Sequence, residues 1–128
     1  MVGGTLRRLH EAKAAGEAAF TVWGTGQARR ELLFADDAAA ACVLLIRQWS
    51  GEGPVNLGSG ADVSVAELAR AAAATVGFEG RLEFDASKPE GAPRRLLDGR
   101  ILAALGWRPQ VSLKDGLGAS YRSWLAAS

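Results

Sequence analysis

The residue types in this 128-residue sequence best suited to chemistry are its arginines and one tryptophan placed beside glycines. Twelve arginines stand against three lysines. Guanidinium presents a planar fork that grips phosphate oxygens in pairs, which ammonium cannot do. Drift of a GC-rich genome toward Arg and Ala accounts for most of that bias. Trp23 ends a short β-branched and aromatic run, Phe20-Thr21-Val22-Trp23, just before the turn Gly24-Thr25-Gly26. A side chain at a strand end beside a turn is well placed for ligand contact. The competing reading is a core aromatic.

Other chemistries are poorly served. Gly24-Thr25-Gly26 and Gly58-Ser59-Gly60 are not dinucleotide fingerprints, because Arg29 and Val63 occupy the places of the third glycine. The sole tyrosine, Tyr121, is followed four residues later by Leu125, so no Tyr-x-x-x-Lys pair exists. Asp36-Asp37 could suggest a metal. Two adjacent carboxylates at a helix start with no His nearby are better read as caps, so no metal site is expected. Cys42 lies in an Ala-rich apolar stretch and reads as inert. A lone cysteine excludes an internal disulfide and suits a reducing cytosol. The formal net charge of +1 creates no field for nucleic acid or membrane. No apolar run approaches the roughly 20 residues that span a bilayer, so a soluble cytoplasmic protein is expected.

The elements that must position these groups follow from periodicity and punctuation. Residues 5–15 predict a helix ended by Gly16. Residues 20–23 predict a strand, 31–35 another extended piece, and 36–48 a helix opened by the two aspartates. That helix is apolar nearly all round, which predicts burial on more than one side against a neighbouring layer that residues 1–128 do not supply. Val55-Asn56-Leu57 predicts a short strand. Ser64-Val65-Ala66-Glu67 is a capping box opening a helix with Val65, Leu68, Ala69, Ala72 and Val76 on one stripe, stopped at Gly77. Residues 81–84 predict a strand, 86–95 a Pro/Gly-rich loop, and Asp98 the cap of a short helix through Leu105. Ser112 caps the last helix, whose core face is Leu113, Leu117, Tyr121 and Trp124. With 48% hydrophobic and 23% charged residues, the composition is that of one globular domain spanning 1–128.

Several segments carry a family resemblance. Trp23-Gly24-Thr25-Gly26 through Arg30-Glu31-Leu32-Leu33-Phe34-Ala35-Asp36-Asp37 resembles the W-G-[ST]-G-x-x-x-R-E-F-L-x-V-D-D segment of GDP-L-fucose synthases. Arg7-Arg8-Leu9-His10-Glu11-Ala12 resembles their R-R-F-H-E-A. Phe84 to Asp98 tracks F-D-x-[ST]-K-P-D-G-T-P-R-K-L-L-D almost residue for residue, with Arg95 where the family usually has Lys. Leu105-Gly106-Trp107 and Ser112-Leu113-x-x-Gly116-Leu117 are shared with other nucleotide-sugar epimerases and dehydratases.

The resemblance implies an α/β fold: the C-terminal, substrate-binding part of an extended short-chain dehydrogenase/reductase, a small mixed sheet with packed helices and the Rossmann core largely absent. It implies that Arg8, Trp23, Arg30 and Arg81 contact a GDP-sugar, with Lys88 near the nucleotide. Arginine forks suit the diphosphate and the indole suits the flat base. Without the resemblance, Arg30 reads as a surface ion pair with Glu31 or Asp36, and Lys88 equally well as a solvated loop lysine. The family's catalytic histidine and epimerising cysteine would precede Met1, so His10 and Cys42 are expected to be structural and no catalytic residue lies in 1–128. NADPH would serve the family enzyme and bind a separate N-terminal Rossmann domain, leaving none for residues 1–128. The implied activity is C3/C5 epimerisation and C4 reduction of GDP-4-keto-6-deoxy-mannose. The chain alone is expected to turn nothing over and to be poorly soluble or partly unfolded. Relatives are typically homodimers through elements absent here. The alternatives are the substrate domain of another nucleotide-sugar enzyme, using UDP or dTDP, a non-catalytic GDP-sugar-binding module, or a decayed gene product.

Overall fold

The structure, a computed structural model, describes residues 1–128. The elements run α1 (Val2–Ala14), β1 (Ala19–Trp23), β2 (Arg29–Glu31), α2 (Ala35–Gln48), β3 (Asp62–Ser64), α3 (Val65–Val76), β4 (Arg81–Asp85), β5 (Arg94–Arg95), α4 (Arg100–Ala104) and α5 (Leu113–Ala127). They form the expected α/β architecture, with two small sheets. β1 and β4 pair in parallel, with Ala19 opposite Arg81 and Trp23 opposite Asp85. β2 is the centre of a mixed three-stranded sheet, antiparallel to β3 and parallel to β5.

The core lies where α1, α3 and α5 pack together and against β1. Leu6 and Leu9 from α1, Leu68 and Ala72 from α3, and Leu117 from α5 are all buried there. The stripe on α3 is the predicted one. Small alanines let α1 and α3 approach, and Leu9 is fully enclosed at 0% exposure. Ser64 accepts from the Glu67 amide while Glu67 accepts from the Ser64 amide, the reciprocal box the sequence predicts. Gly77 ends α3 at φ +73°, and its N–H reaches the carbonyls of Ala73 and Ala74. Lys13 Nζ donates to Val76 O at 2.9 Å, placing a cation on the carbonyl end of α3. His10 Nδ1 lies 2.7 Å from Tyr121 Oη and its ring meets Trp124 edge-on, joining α1 to α5.

Several expectations are corrected. The strand read at 31–35 begins earlier, at Arg29, and ends at Glu31, because its hydrogen-bonding partners β3 and β5 reach only that stretch. Val55-Asn56-Leu57 forms no strand, since no neighbouring strand lies beside it. The 86–95 loop ends in a strand, β5, paired to β2. α4 starts at Arg100, and Asp98 accepts from the Arg100 amide without capping the helix as its N-cap residue. Asp36 and Asp37 make no cap hydrogen bond on α2. Asp37 is buried and accepts instead from the backbone amides of Gln110 and Val111, tying α2 to the segment before α5. α2, by contrast, is left without a second layer by residues 1–128, as its apolar character implies. Only Asp37 and Ala41 are enclosed, while Cys42 and Val43 are exposed and Ile46 is 84% exposed.

Candidate functional site

The site grows from the end of β1. Alternation along this strand buries Phe20 and Val22 and turns Trp23 outward, where it is 58% exposed. The two glycines that follow are required. Gly24 (φ +87°) and Gly26 (φ +78°) hold a backbone region other residues rarely adopt. A Cβ on Gly24 would also lie 2.9 Å from Glu90 Cγ, and one on Gly26 would lie 2.6 Å from the Phe84 ring.

Glu90 closes this turn. Its carboxylate accepts from Thr25 Oγ1 at 2.8 Å and from the amides of Gln27 and Ala28 at 3.1 and 3.2 Å. The Thr25 hydroxyl above all, helped by those amides, holds the Glu90 carboxyl below the usual range. Nothing in the sequence reading assigned Glu90 this role, although it lies inside the Lys-Pro-Glu-Gly run.

Arg30 is the next anchor. It pairs with neither Glu31 nor Asp36, correcting the ion-pair reading. Its Nη1 donates to Arg29 O and Ala92 O, each at 2.7 Å, and Nη2 donates to Glu90 O at 3.0 Å. Carbonyls orient this guanidinium without neutralising it. Glu31 instead ties the Gly60 and Leu97 amides together. Arg8 donates to Thr21 O at 3.2 Å and lies 4.9 Å over the Phe20 ring. Lys88 Nζ lies 5.9 Å from the Trp23 ring centre.

Arg8, Trp23 and Arg30 thus line one open cleft of about 350 Å³, with Glu90 at its edge and the apolar side chains of Val22 and Leu68 as floor. Lys88 stands at its rim over Trp23. Arg81 is not brought to this group. It opens β4, four residues from the Asp85 that pairs with Trp23, or roughly 13 Å along the strand. It is exposed and faces Glu83 at 3.2 Å. Arg30 also borders a second, apolar cavity of about 470 Å³ between Phe34, Val63, Val111 and Leu113.

Neither glycine turn runs from a strand directly into a helix: Gly26 leads to β2 and Gly60 to β3. Neither turn therefore has the strand–turn–helix placement of a dinucleotide fingerprint. No group of three or more His, Cys, Asp or Glu side chains is placed to hold a metal ion. No helix is long and apolar enough to cross a membrane.

On the opposite face of the central sheet, Asp62 stands between two arginines. Its side chain is 5% exposed; Arg29 Nε reaches Oδ1 at 2.7 Å and Arg94 Nε bonds Oδ2. Arg94 first, and then Arg29, hold this carboxyl below its ordinary value. A depressed folded-state value means the pairing stabilises the fold above the unfolded carboxyl's value of about 3.9 and is lost as pH falls through the folded one. Asp62→Asn is therefore expected to melt below the parent at pH 7, with the gap narrowing as pH falls below about 4. Melting curves of both proteins from pH 7 downward check it; a gap that does not begin to narrow below about pH 4 would contradict the pairing.

The chain is similar to known proteins over nearly its whole length. The model of the NAD dependent epimerase/dehydratase family matches residues 1–58. GDP-L-fucose synthase 1 of Arabidopsis thaliana is 51% identical over 120 residues, covering 94% of this chain and 37% of that protein. GDP-L-fucose synthase of Escherichia coli (strain K12) is 43% identical over 94% of this chain and 40% of its own length. The chain thus spans about two fifths of these relatives. Among solved structures, a GDP-mannoheptose C4 reductase from Campylobacter jejuni with NADP bound superposes with TM-score 0.85 at 29% identity, over 97% of this chain and 44% of that one. Over nearly all of residues 1–128, the chain is similar to the C-terminal portion of GDP-L-fucose synthases and has the fold of that part of an extended short-chain dehydrogenase/reductase.

Proposed function

We propose that residues 1–128 form a substrate-binding domain that clamps the GDP end of a nucleotide sugar, GDP-4-keto-6-deoxy-mannose, for epimerisation at C3 and C5 and NADPH-dependent reduction at C4. The observation that carries this reading is the shared cleft, in which an outward indole, two oriented guanidiniums and a rim ammonium converge. The indole stacks on the base, Arg8 and Arg30 take the diphosphate, and Lys88 supports the nucleotide. Arg81 contributes from the far end of β4, toward a more distant part of the ligand. Binding energy gained at the GDP end, remote from the reacting carbons, positions the sugar for chemistry performed by other groups. NADPH and those groups belong to an N-terminal Rossmann domain. The exposed apolar face of α2 is the surface on which that domain rests.

Calorimetric titration of the 128-residue chain with GDP tests the reading. GDP is expected to bind in preference to UDP, and Trp23→Ala is expected to lose about 1–3 kcal/mol of binding, as for other base–aromatic stacks. An indole this exposed supports little packing, so stability should change by about 0.5 kcal/mol or less. No NADPH oxidation is expected from the same preparation with the keto-sugar. GDP binding unaffected by Trp23→Ala, or none at all, would reject the site; preference for UDP would point to another nucleotide-sugar enzyme.

A further inference from the structure

The loop between β4 and β5 is tied twice to the turn that follows β1. At its start, Asp85 O accepts from the Gly24 N–H at 2.9 Å. Near its end, one oxygen of Glu90, Oε1, accepts from the Thr25 hydroxyl and from the Gln27 and Ala28 amides. Residues 86–89 lie between these ties and bring Lys88 to the Trp23 ring. The stem of Glu90 fills the space beside Gly24, where an added Cβ would meet three of its carbons within 3.1 Å. The main chain of the same residue works on the other side. Glu90 O accepts from Arg30 Nη2 at 3.0 Å, and Ala92 O accepts from Nη1 at 2.7 Å. Pro93 O then accepts from the Arg29 amide at 2.8 Å. No cation lies within ion-pair distance of the Glu90 carboxylate. A bare negative charge at the edge of a cleft lined by Arg8 and Arg30 would oppose an anionic ligand. What Glu90 contributes is therefore its hydrogen bonds, which join the turn beside Trp23 to the carbonyls that hold Arg30.

We propose that Glu90 is the positioning residue of the cleft, holding Trp23 and Arg30 in their binding poses before a ligand arrives. This deepens the nucleotide-sugar reading and rests on it for the identity of the ligand; the positioning itself is a property of the unliganded chain. Its side chain fixes the turn after Trp23, and its backbone fixes the guanidinium of Arg30. Side chains ordered in advance are not ordered at the expense of binding, so the latch raises affinity without touching the ligand.

The test combines hydrogen exchange and GDP titration on the 128-residue chain and its variants. In Glu90→Ala the Gln27 and Ala28 amides should lose protection while those of α3 keep theirs. The Arg30 guanidinium should rotate more freely by NMR, and GDP affinity should fall roughly tenfold. Glu90→Gln should restore most of both, because a neutral carbonyl oxygen can replace Oε1 as acceptor. Thr25→Val, at an exposed position, removes one of the three donors and should give a smaller loss in the same direction. Combined with Trp23→Ala, Glu90→Ala should cost less than the two losses multiplied, since it acts partly through the indole; a purely structural defect would multiply in full. Unchanged protection at Gln27 and Ala28, full multiplication, or GDP affinity that holds or rises in Glu90→Ala overturns the positioning role. If the parent chain binds no GDP, the nucleotide reading fails alone. Freed amides and a freed Arg30 in Glu90→Ala then still uphold the latch, and their absence overturns it.

Discussion

Leu9→Ala is expected to destabilise the chain by about 2–5 kcal/mol, enough to leave much of it unfolded at 37 °C. The size follows from the surroundings. Leu9 is fully enclosed where α1 packs on α3 and α5, so truncation leaves a cavity that rigid helical backbones cannot fill. The reserve is also small. Only 19 of 128 residues are buried, which puts the chain at the low end of the roughly 5–15 kcal/mol of ordinary domains. Urea denaturation followed by circular dichroism measures the loss. The contrasting change, Ile46→Ala on the exposed face of α2, should stay within about 0.5 kcal/mol. A Leu9→Ala cost below 1 kcal/mol would mean that α1 is not docked as described.

The second large effect concerns Asp37. Asp37 is 5% exposed, and its carboxylate accepts from the Gln110 amide at 3.1 Å and the Val111 amide at 2.9 Å. Asp37→Ala leaves two backbone donors without partners in a half-buried segment. Each hydrogen bond to a charged group is worth about 1.5–3 kcal/mol, so a total near 3 kcal/mol is expected after partial relaxation. Asp37→Asn keeps one acceptor oxygen and should cost less. Hydrogen exchange locates the damage: the Gln110 and Val111 amides should lose protection in Asp37→Ala while those of α3 keep theirs. Fast exchange of both amides in the unaltered chain would remove the basis for this prediction. Because Val111 lines the apolar cavity beside Arg30, the same substitution should loosen that wall without touching Trp23.

Asp37 also marks the boundary of what could be read from the sequence. The carboxylate was legible as a capping residue at a helix start, and the helix does start there. Its partners lie more than 70 positions away, and no local rule reaches them. Arg30 repeats the lesson. Its nearest acids in sequence suggested an ion pair, but the chain returns at residues 90–92 to present carbonyls instead. Glu90 was hidden for the same reason, since its work is done on residues 25–28. The apolar character of α2 was legible in the sequence together with its consequence, since residues 1–128 supply no second layer for it.

What the sequence determined by itself was much of what contacts within about four residues set. The reciprocal cap at Ser64 and Glu67, the left-handed stop at Gly77, the Ser112 cap and the helical stripes of α3 and α5 need only neighbours along the chain, and all stand as read. The family motifs added the identity of the cleft residues without showing how they meet. Tertiary structure alone decided the register that opposes Arg30 with Arg95, the placement of Asp62 between two arginines, the separation of Arg81 from Trp23, and the loss of a strand at 55–57. These depend on which strands find partners. A strand exists only when a second one pairs with it, whereas a helix satisfies its backbone from within.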